Sequence, residues 1–133
     1  MCGLAGSFAY HPAASALCPE ALATLTDRMY RRGPDGRGIW YSDCGRVGLG
    51  HRRLAIQDLS DTGAQPMVSA DGRYQLVFNG EIYNHPELMR ELISRGVRYR
   101  GSSDTETILH LFSREGARSF SRLRGMFAIA IWD

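Results

Sequence analysis

The chain has 133 residues, of which 44% are hydrophobic and 23% are charged, and this composition is typical of one folded domain. The net charge is only +2, and all sixteen basic residues are arginines, which are spread from Arg28 to Arg124 among acidic residues. This distribution argues against a basic nucleic-acid-binding surface, and the absence of lysine excludes a Schiff-base lysine and a P-loop lysine.

The first residues do not have the pattern of a targeting segment. MCGLAGSFAY lacks a basic region, its apolar run is short and broken by glycine, and it does not begin with the Met-Gly of a myristoylation site. No apolar run approaches the ~18 residues of a membrane span. The three cysteines (Cys2, Cys18 and Cys44) have no CxxC spacing, which disfavours a disulfide framework and a zinc site. We expect a cytoplasmic protein with no nucleic-acid or membrane partner.

The first half of the chain is predicted to contain one helix among short strands. Residues 2–10 are small and apolar and indicate a buried strand. A helix is expected to begin at Pro19 and to end before the glycine- and proline-rich loop 31–38. Its apolar face would consist of Leu22, Leu25 and Met29. Short strands are then predicted at 38–42, 46–50 and 53–57, before a loop over 58–66.

The second half is predicted to alternate strands and amphipathic helices. YQLVFNG predicts a strand over 74–80, which EIYN (81–84) either continues or pairs with. Pro86 and Gly96 would begin and end a short helix. The final nine residues, GMFAIAIWD, predict an apolar core strand. Because a domain rarely stops at a core strand, we expect this to be the front part of a longer protein.

A second helix in this half has clear boundary signals. Ser103 followed by Glu106 is a capping-box pattern, and Gly116 is placed to end the helix. Its buried face would contain Ile108, Leu109, Leu111 and Phe112. Strands in short adjacent runs favour antiparallel pairing, and together with helices they indicate a layered α+β domain.

Cys2 is the first candidate for chemistry. Removal of Met1, which a small second residue permits, would leave a thiol and a free α-amine on one residue. Their reference pKa values, about 8.5 and about 8, lie near neutrality, so the amine could take the proton of the thiol and later return it. On its own, a cysteine at position two is a weak signal and favours an incidental thiol.

Acyl transfer by a thiol also needs donors for an oxyanion, and Asn79 with Gly80 could supply them. Asn79 has a side-chain NH2, and Gly80 could expose its backbone N–H at the end of a strand. Judged locally, however, Asn-Gly is also the signal of a tight hairpin turn.

Four charged residues are candidates for binding a substrate. Arg52 or Arg53 could grip a carboxylate from the start of a strand, and Asp104 or Glu81 could accept from an ammonium group. The alternatives are a surface arginine, a carboxylate that compensates a helix dipole and a solvated strand residue. The four histidines show no metal-binding spacing.

Several motifs occur together and in order along the whole chain. They are MCG, RRGPDG, GHRRLAIQD, QPM, FNGEIYN, SSDTE and LRGMFAIAIWD. In this combination the chain resembles the glutaminase domain of the glutamine-hydrolysing asparagine synthetase family, a class II glutamine amidotransferase. The resemblance implies the N-terminal-nucleophile hydrolase fold, an αββα sandwich of four layers.

The resemblance also implies roles for individual residues. Cys2 would attack the side-chain amide of glutamine, while Asn79 and Gly80 would bind the oxyanion. The remaining residues would bind the two ends of the amino acid: Arg53 the α-carboxylate, Asp104 and Glu81 the α-amino group, with the backbone of Leu54 and Ile56 lining the pocket. The RRGPDG loop would lie nearby as a structural element without a catalytic step.

Partners and cofactors follow from the same resemblance. L-Glutamine would be the substrate, no cofactor or metal is expected in this domain, and a homo-oligomer is left open. The family continues with further strands and with a synthetase domain that uses ATP and magnesium, and neither is present in residues 1–133. Two other functions stay open: an idle or truncated regulatory module, and an amidotransferase that aminates something other than aspartate.

Overall fold

The computed structural model describes residues 2–56 and 59–133. Its strands are β1 (Gly3–Phe8), β2 (Gly36–Tyr41), β3 (Val47–Arg53), β4 (Met67–Val68), β5 (Gln75–Ile82) and β6 (Gly125–Trp132). Its α-helices are α1 (Pro19–Arg28), α2 (His85–Ser94) and α3 (Asp104–Glu115). Short 3-10 helices span Asp61–Gly63 and Gly116–Arg122. None of the described helices is long and apolar enough to cross a membrane.

The strands form two antiparallel sheets, with strand orders β1-β3-β2 and β4-β5-β6. Helix α1 packs against β1 and β3 of the first sheet, and β3 faces β5 of the second. Helix α3 packs on the far side of β5, and α2 packs against α3. The layers therefore run helix, sheet, sheet, helices, which is the αββα arrangement of N-terminal-nucleophile hydrolases.

Alternation along β3 determines what each side of the first sheet contacts. Gly48 and Gly50 lie under α1, where a Cβ at Gly50 would come within 2.1 Å of the Thr26 hydroxyl. The opposite face carries Leu49 and His51, which are buried between the sheets. Glycine on the helix-facing side therefore allows α1 to lie close to the sheet.

The largest hydrophobic cluster lies between the second sheet and its helices. Alternate residues of β5, namely Leu76, Phe78 and Ile82, face α2 and α3. The helices contribute Leu88, Leu92, Ile108, Leu109 and Leu111, all at most 5% exposed. Because side chains of β5 and of α3 belong to the same buried cluster, their packing fixes the position of β5 relative to α3.

The helix boundaries confirm most of the predicted signals. α1 begins at Pro19, and Gly96 and Gly116 follow α2 and α3 with φ of 83° and 60°. The Ser103 hydroxyl caps α3 by accepting from the Glu106 N–H at 3.3 Å. The prediction that Leu25 belongs to the buried face of α1 is wrong, because its side chain lies on the solvent side and is half exposed.

Two strand predictions near residue 50 are corrected. Residues 46–50 and the start of 53–57 are not separate strands, because one strand, β3, runs through Arg53 and residues 54–56 are irregular. Arg53 therefore ends a strand and does not begin one. Gln57 of the predicted strand and Asp58 of the predicted loop lie outside the described residues.

The burial predicted for the first and last strands is also wrong. In β1 only Gly3 is buried and Phe8 is 59% exposed, while β6 is exposed or half-exposed along its whole length. Each of these strands lies at the edge of its sheet, where it pairs with a neighbouring strand on one side only. Phe8 packs instead on Trp132 across the two edges, with ring centroids 5.7 Å apart.

His51 connects the two sheets through a buried hydrogen bond. Its Nε2 lies 3.0 Å from the Phe78 carbonyl oxygen, so this nitrogen carries the proton. Burial lowers the pKa of His51 from its usual 6.5 to about 4, and Arg53 acts in the same direction. The imidazole is therefore neutral at physiological pH.

This shift predicts a loss of stability in mild acid. Between pH 6.5 and pH 4 the unfolded chain binds a proton at His51 that the folded chain does not, so stability falls as pH decreases. The loss attributable to His51 should reach about 3 kcal/mol at pH 4. The free energy of unfolding, measured with urea between pH 7 and pH 4, should depend less steeply on pH in His51→Gln than in the wild type. The control is His11→Gln, at an exposed histidine, which should keep the wild-type dependence on pH. An unchanged slope in His51→Gln would refute this assignment.

Candidate active site

A cavity of about 490 Å³ opens where the chain start, the end of β3, β5 and the start of α3 meet. This volume is in the range of small-molecule sites. It is lined by seven of the eight residues singled out from the sequence: Cys2, Arg53, Leu54, Ile56, Gly80, Glu81 and Asp104. The eighth, Asn79, precedes Gly80 in β5. Residues that are distant in sequence thus meet around one space.

Cys2 is held at the cavity by the backbone of Leu54. Its Sγ accepts from the Leu54 N–H at 3.3 Å and lies 3.6 Å from the Leu54 carbonyl oxygen. The side chain is only half-buried. Cys18 and Cys44 are exposed free thiols, and neither lines this cavity.

Asn79 and Gly80 lie in the middle of β5, and the hairpin-turn interpretation is wrong. β5 continues through them to Ile82, with Asn79 opposite Ala128 and Gly80 opposite Phe127 in β6. Asn79 Oδ1 is buried and has no hydrogen-bond partner among the described residues. A buried acceptor next to the lining residue Gly80 is therefore unpaired within the described residues.

Gly80 is required by the close approach of β6. A Cβ at this position would lie 2.2 Å from the Met126 carbonyl oxygen and 2.6 Å from Phe127 Cα. Both are backbone atoms, so a side chain would force the two strands apart. The backbone at Gly80 can therefore line the cavity only if the residue is glycine.

The N–H of Gly80 faces the cavity, as the pairing of β5 shows. Tyr83 donates to Arg124 across the β5–β6 pair, so by alternation the N–H groups of Ile82, Gly80 and Phe78 face away from β6. The Ile82 N–H donates to Asp104 Oδ2 at 3.1 Å, and the Phe78 N–H donates to Gln65 Oε1 at 2.6 Å. Gly80 N–H lies between them.

Arg53 leaves the end of β3 beside Cys2. One of its guanidinium nitrogens donates to the Ser60 carbonyl at 2.7 Å, which orients the side chain along the cavity wall. The neighbouring Arg52 extends to the opposite face of the sheet, where it pairs with Asp27 near α1. Alternation along the strand thus assigns only the second arginine of the pair to the cavity.

Asp104, the first residue of α3, supplies a buried carboxylate. Burial raises the pKa of Asp104, and Glu81 acts in the same direction, while the Ile82 N–H and His85 act against it. The cavity lining therefore combines a cation, Arg53, with two acidic side chains, Glu81 and Asp104. This is the charge pattern that binds a zwitterionic amino acid.

The loop between α1 and β2 supports the chain start, as the resemblance implied. The Arg32 Nε donates to the Cys2 carbonyl at 3.0 Å, and the Asp35 carboxylate accepts from the Ala55 N–H at 2.9 Å. A Cβ at Gly33 would come within 2.5 Å of the Arg52 backbone. The loop thus packs directly on the segment that carries Arg53 and Leu54.

Several lining residues were not identified from the sequence: Gly63, Gln65, Phe78, Tyr83, Ser103, Thr105 and Met126. Gln65 belongs to the QPM motif, to which the sequence alone assigns no role. Its side chain could have been recognised only from the register of β4 and β5. Among the described residues, no three His, Cys, Asp or Glu side chains come together as a metal site.

The two antiparallel sheets packed between helices define the class by fold, a domain with the N-terminal-nucleophile hydrolase fold. The family described as "Glutamine amidotransferase domain" matches residues 1–133, and the chain belongs to it. The domain is therefore that of an enzyme with glutaminase activity.

Individual relatives agree with this assignment. The chain is 41% identical over its full length to asparagine synthetase [glutamine-hydrolyzing] 1 of Bacillus subtilis, of which it covers 21%. It is 42% identical over 86% of its length to the amidase chry2 of Gibberella zeae, of which it covers 17%. The chain thus spans about a fifth of the length of the curated relatives it matches.

A solved structure supports the fold. Glutamine phosphoribosylpyrophosphate amidotransferase from B. subtilis matches with a TM-score of 0.80 and 24% identity, over 97% of this chain and 34% of that one. At this identity the likeness concerns the fold alone.

Proposed function

We propose that Cys2, freed of Met1, hydrolyses the side-chain amide of L-glutamine to glutamate and ammonia. The observation that carries the proposal is the single cavity shared by a thiol, an arginine and two carboxylates. Family membership supports glutamine as the amide substrate.

The charges of the cavity give the binding orientation. Arg53 binds the α-carboxylate of glutamine, and Asp104 with Glu81 binds the α-ammonium group. The backbone of Leu54 and Ile56 lines the space between them. Because Leu54 also contacts Cys2 Sγ, a ligand held there presents its side-chain amide to the thiol.

The reaction needs no base beyond Cys2 itself. The α-amine takes the thiol proton while Sγ bonds to the amide carbon, and the Asn79 amide and Gly80 N–H stabilise the oxyanion. Collapse releases ammonia, with the proton returned to the leaving nitrogen, and leaves a thioester. Water then attacks the thioester, which yields glutamate and the free thiol.

We further propose that the ammonia is used by an ATP- and magnesium-dependent synthetase domain outside residues 1–133. The relatives named as asparagine synthetases support an aspartate acceptor. The similarity to a fungal amidase supports the second candidate, an acceptor other than aspartate.

The proposal is tested by the intact mass of the protein before and after incubation with a glutamine analogue that carries a diazoketone in place of the amide. We expect a mass without Met1 and one adduct, mapped to Cys2 and prevented by excess glutamine. The exposed Cys18 and Cys44 serve as internal controls, because labelling there should not respond to glutamine. Retention of Met1, or an adduct at Cys2 that glutamine does not prevent, would contradict the proposal.

A further inference from the structure

Gln65 joins three parts of the fold at the cavity. Its Oε1 accepts from the Phe78 N–H of β5, and its Nε2 donates to the Thr105 hydroxyl at 3.2 Å, in the first turn of α3. Its backbone lies against the first sheet, where a Cβ at Gly38 would come within 1.9 Å of the Gln65 carbonyl oxygen. The side chain lines the cavity and the residue is only 8% exposed.

The side chain of Gln65 takes the place of a backbone acceptor that a longer β4 would provide. β4 pairs with β5 only at Met67 and Val68. Beyond this point the free edge of β5 presents the N–H of Phe78. A side-chain amide from Gln65 supplies the acceptor that a longer β4 would have supplied.

The Phe78 residue is thereby held on both sides. Its N–H is bound by Gln65, and its carbonyl accepts from His51 Nε2. The next two residues, Asn79 and Gly80, are the proposed oxyanion donors. On the other side of Gly80, the Ile82 N–H is bound by Asp104, so the donor segment is fixed at both ends.

We propose that Gln65 is a positioning residue for the oxyanion donors of the glutaminase site. It acts through the Phe78 N–H and places Asn79 and Gly80 relative to Cys2. The inference rests on the proposed function, because it concerns a charge that exists only during amide hydrolysis. A residue of this kind affects the transition state more than the binding of glutamine.

The experiment is steady-state glutaminase kinetics on the full chain carrying Gln65→Met, which keeps the length of the side chain and removes both hydrogen bonds. Gln75→Met, in β5 and away from the cavity, is the matched control. We expect kcat to fall about 10- to 100-fold in Gln65→Met, with KM for glutamine within threefold. Gln75→Met should match wild type.

A second readout uses the semialdehyde of glutamate as an inhibitor. The Cys2 thiol adds to its aldehyde, and the oxygen of the resulting adduct lies where the same donors would bind the oxyanion. Its inhibition constant should rise in parallel with the loss of kcat in Gln65→Met. A purely structural role would lower the melting temperature and leave kcat, KM and this constant unchanged. That result, or a raised KM at unchanged kcat, would overturn the proposal.

Thr105→Val provides an independent variant if Gln65→Met does not fold. It removes the hydroxyl that accepts from Gln65 and keeps the shape of the side chain, so a smaller fall in kcat in the same direction is expected. Unchanged kcat in Thr105→Val would overturn the proposal in that case. A wild-type chain with no glutaminase activity would refute the proposed function itself, whereas an active wild type with a fully active Gln65→Met would refute only the role of Gln65.

Discussion

Cys2→Ala should lower glutamine hydrolysis by about 10³-fold or more, to the level of the background reaction. The variant lacks the only atom proposed to bond to the amide carbon, while alanine at position two still permits removal of Met1 and so preserves the α-amine. Because the Sγ is half-buried and is hydrogen-bonded, among the described residues, to the backbone of Leu54 alone, the loss in stability should be about 1 kcal/mol.

The measurement is ammonia release under saturating glutamine, together with a thermal melt of the same preparation. Cys18→Ala and Cys44→Ala are the matched controls, since both thiols are exposed and lie outside the cavity. Both should retain wild-type activity. Glutamine hydrolysis that persists in Cys2→Ala would remove the cysteine from the mechanism.

Asn79→Ala should reduce kcat by about 10²- to 10³-fold, the usual cost of losing one oxyanion donor. KM for glutamine should change little, because the proposed contacts of Asn79 form with the oxyanion and not with the bound substrate. The fold should tolerate the change, since the side-chain oxygen of Asn79 has no hydrogen bond within the described chain.

Asn84→Ala is the control for Asn79→Ala, because it should affect stability and not kcat. Asn84 follows the same strand, and its side chain bonds the backbone of Arg122 and Arg124. Its loss should lower the melting temperature and leave kcat unchanged, because Asn84 does not line the cavity. If Asn79→Ala behaved in the same way as Asn84→Ala, the oxyanion role of Asn79 would be refuted.

The sequence was most informative where local chemistry determines local structure. Pro19, Ser103, Gly96 and Gly116 act on the turns next to them, and each marks the helix end that it predicted. The motif resemblance predicted the fold and grouped the candidate site residues into one site. No periodicity in the chain indicates which residues share a cavity.

The errors came from tertiary contacts. Asn79–Gly80 has the local pattern of a turn, but pairing with β6 along eight residues keeps the strand straight. The apolar pattern of β6 predicts burial, whereas its place at a sheet edge leaves it half-exposed. The role of Gln65 could not be found at all, because it depends on β4 beginning only at Met67, two residues after Gln65.

The glycines beneath α1 also have a consequence for the reaction. Gly48 and Gly50 allow the helix to approach the first sheet without intervening side chains, and the chain leaves α1 directly into the loop that carries Arg32. With the helix at this depth, the Arg32 guanidinium donates to the Cys2 carbonyl. Two glycines that do not line the cavity thus set the distance between α1 and the first sheet. Through the loop after α1, this distance affects where the proposed nucleophile is held.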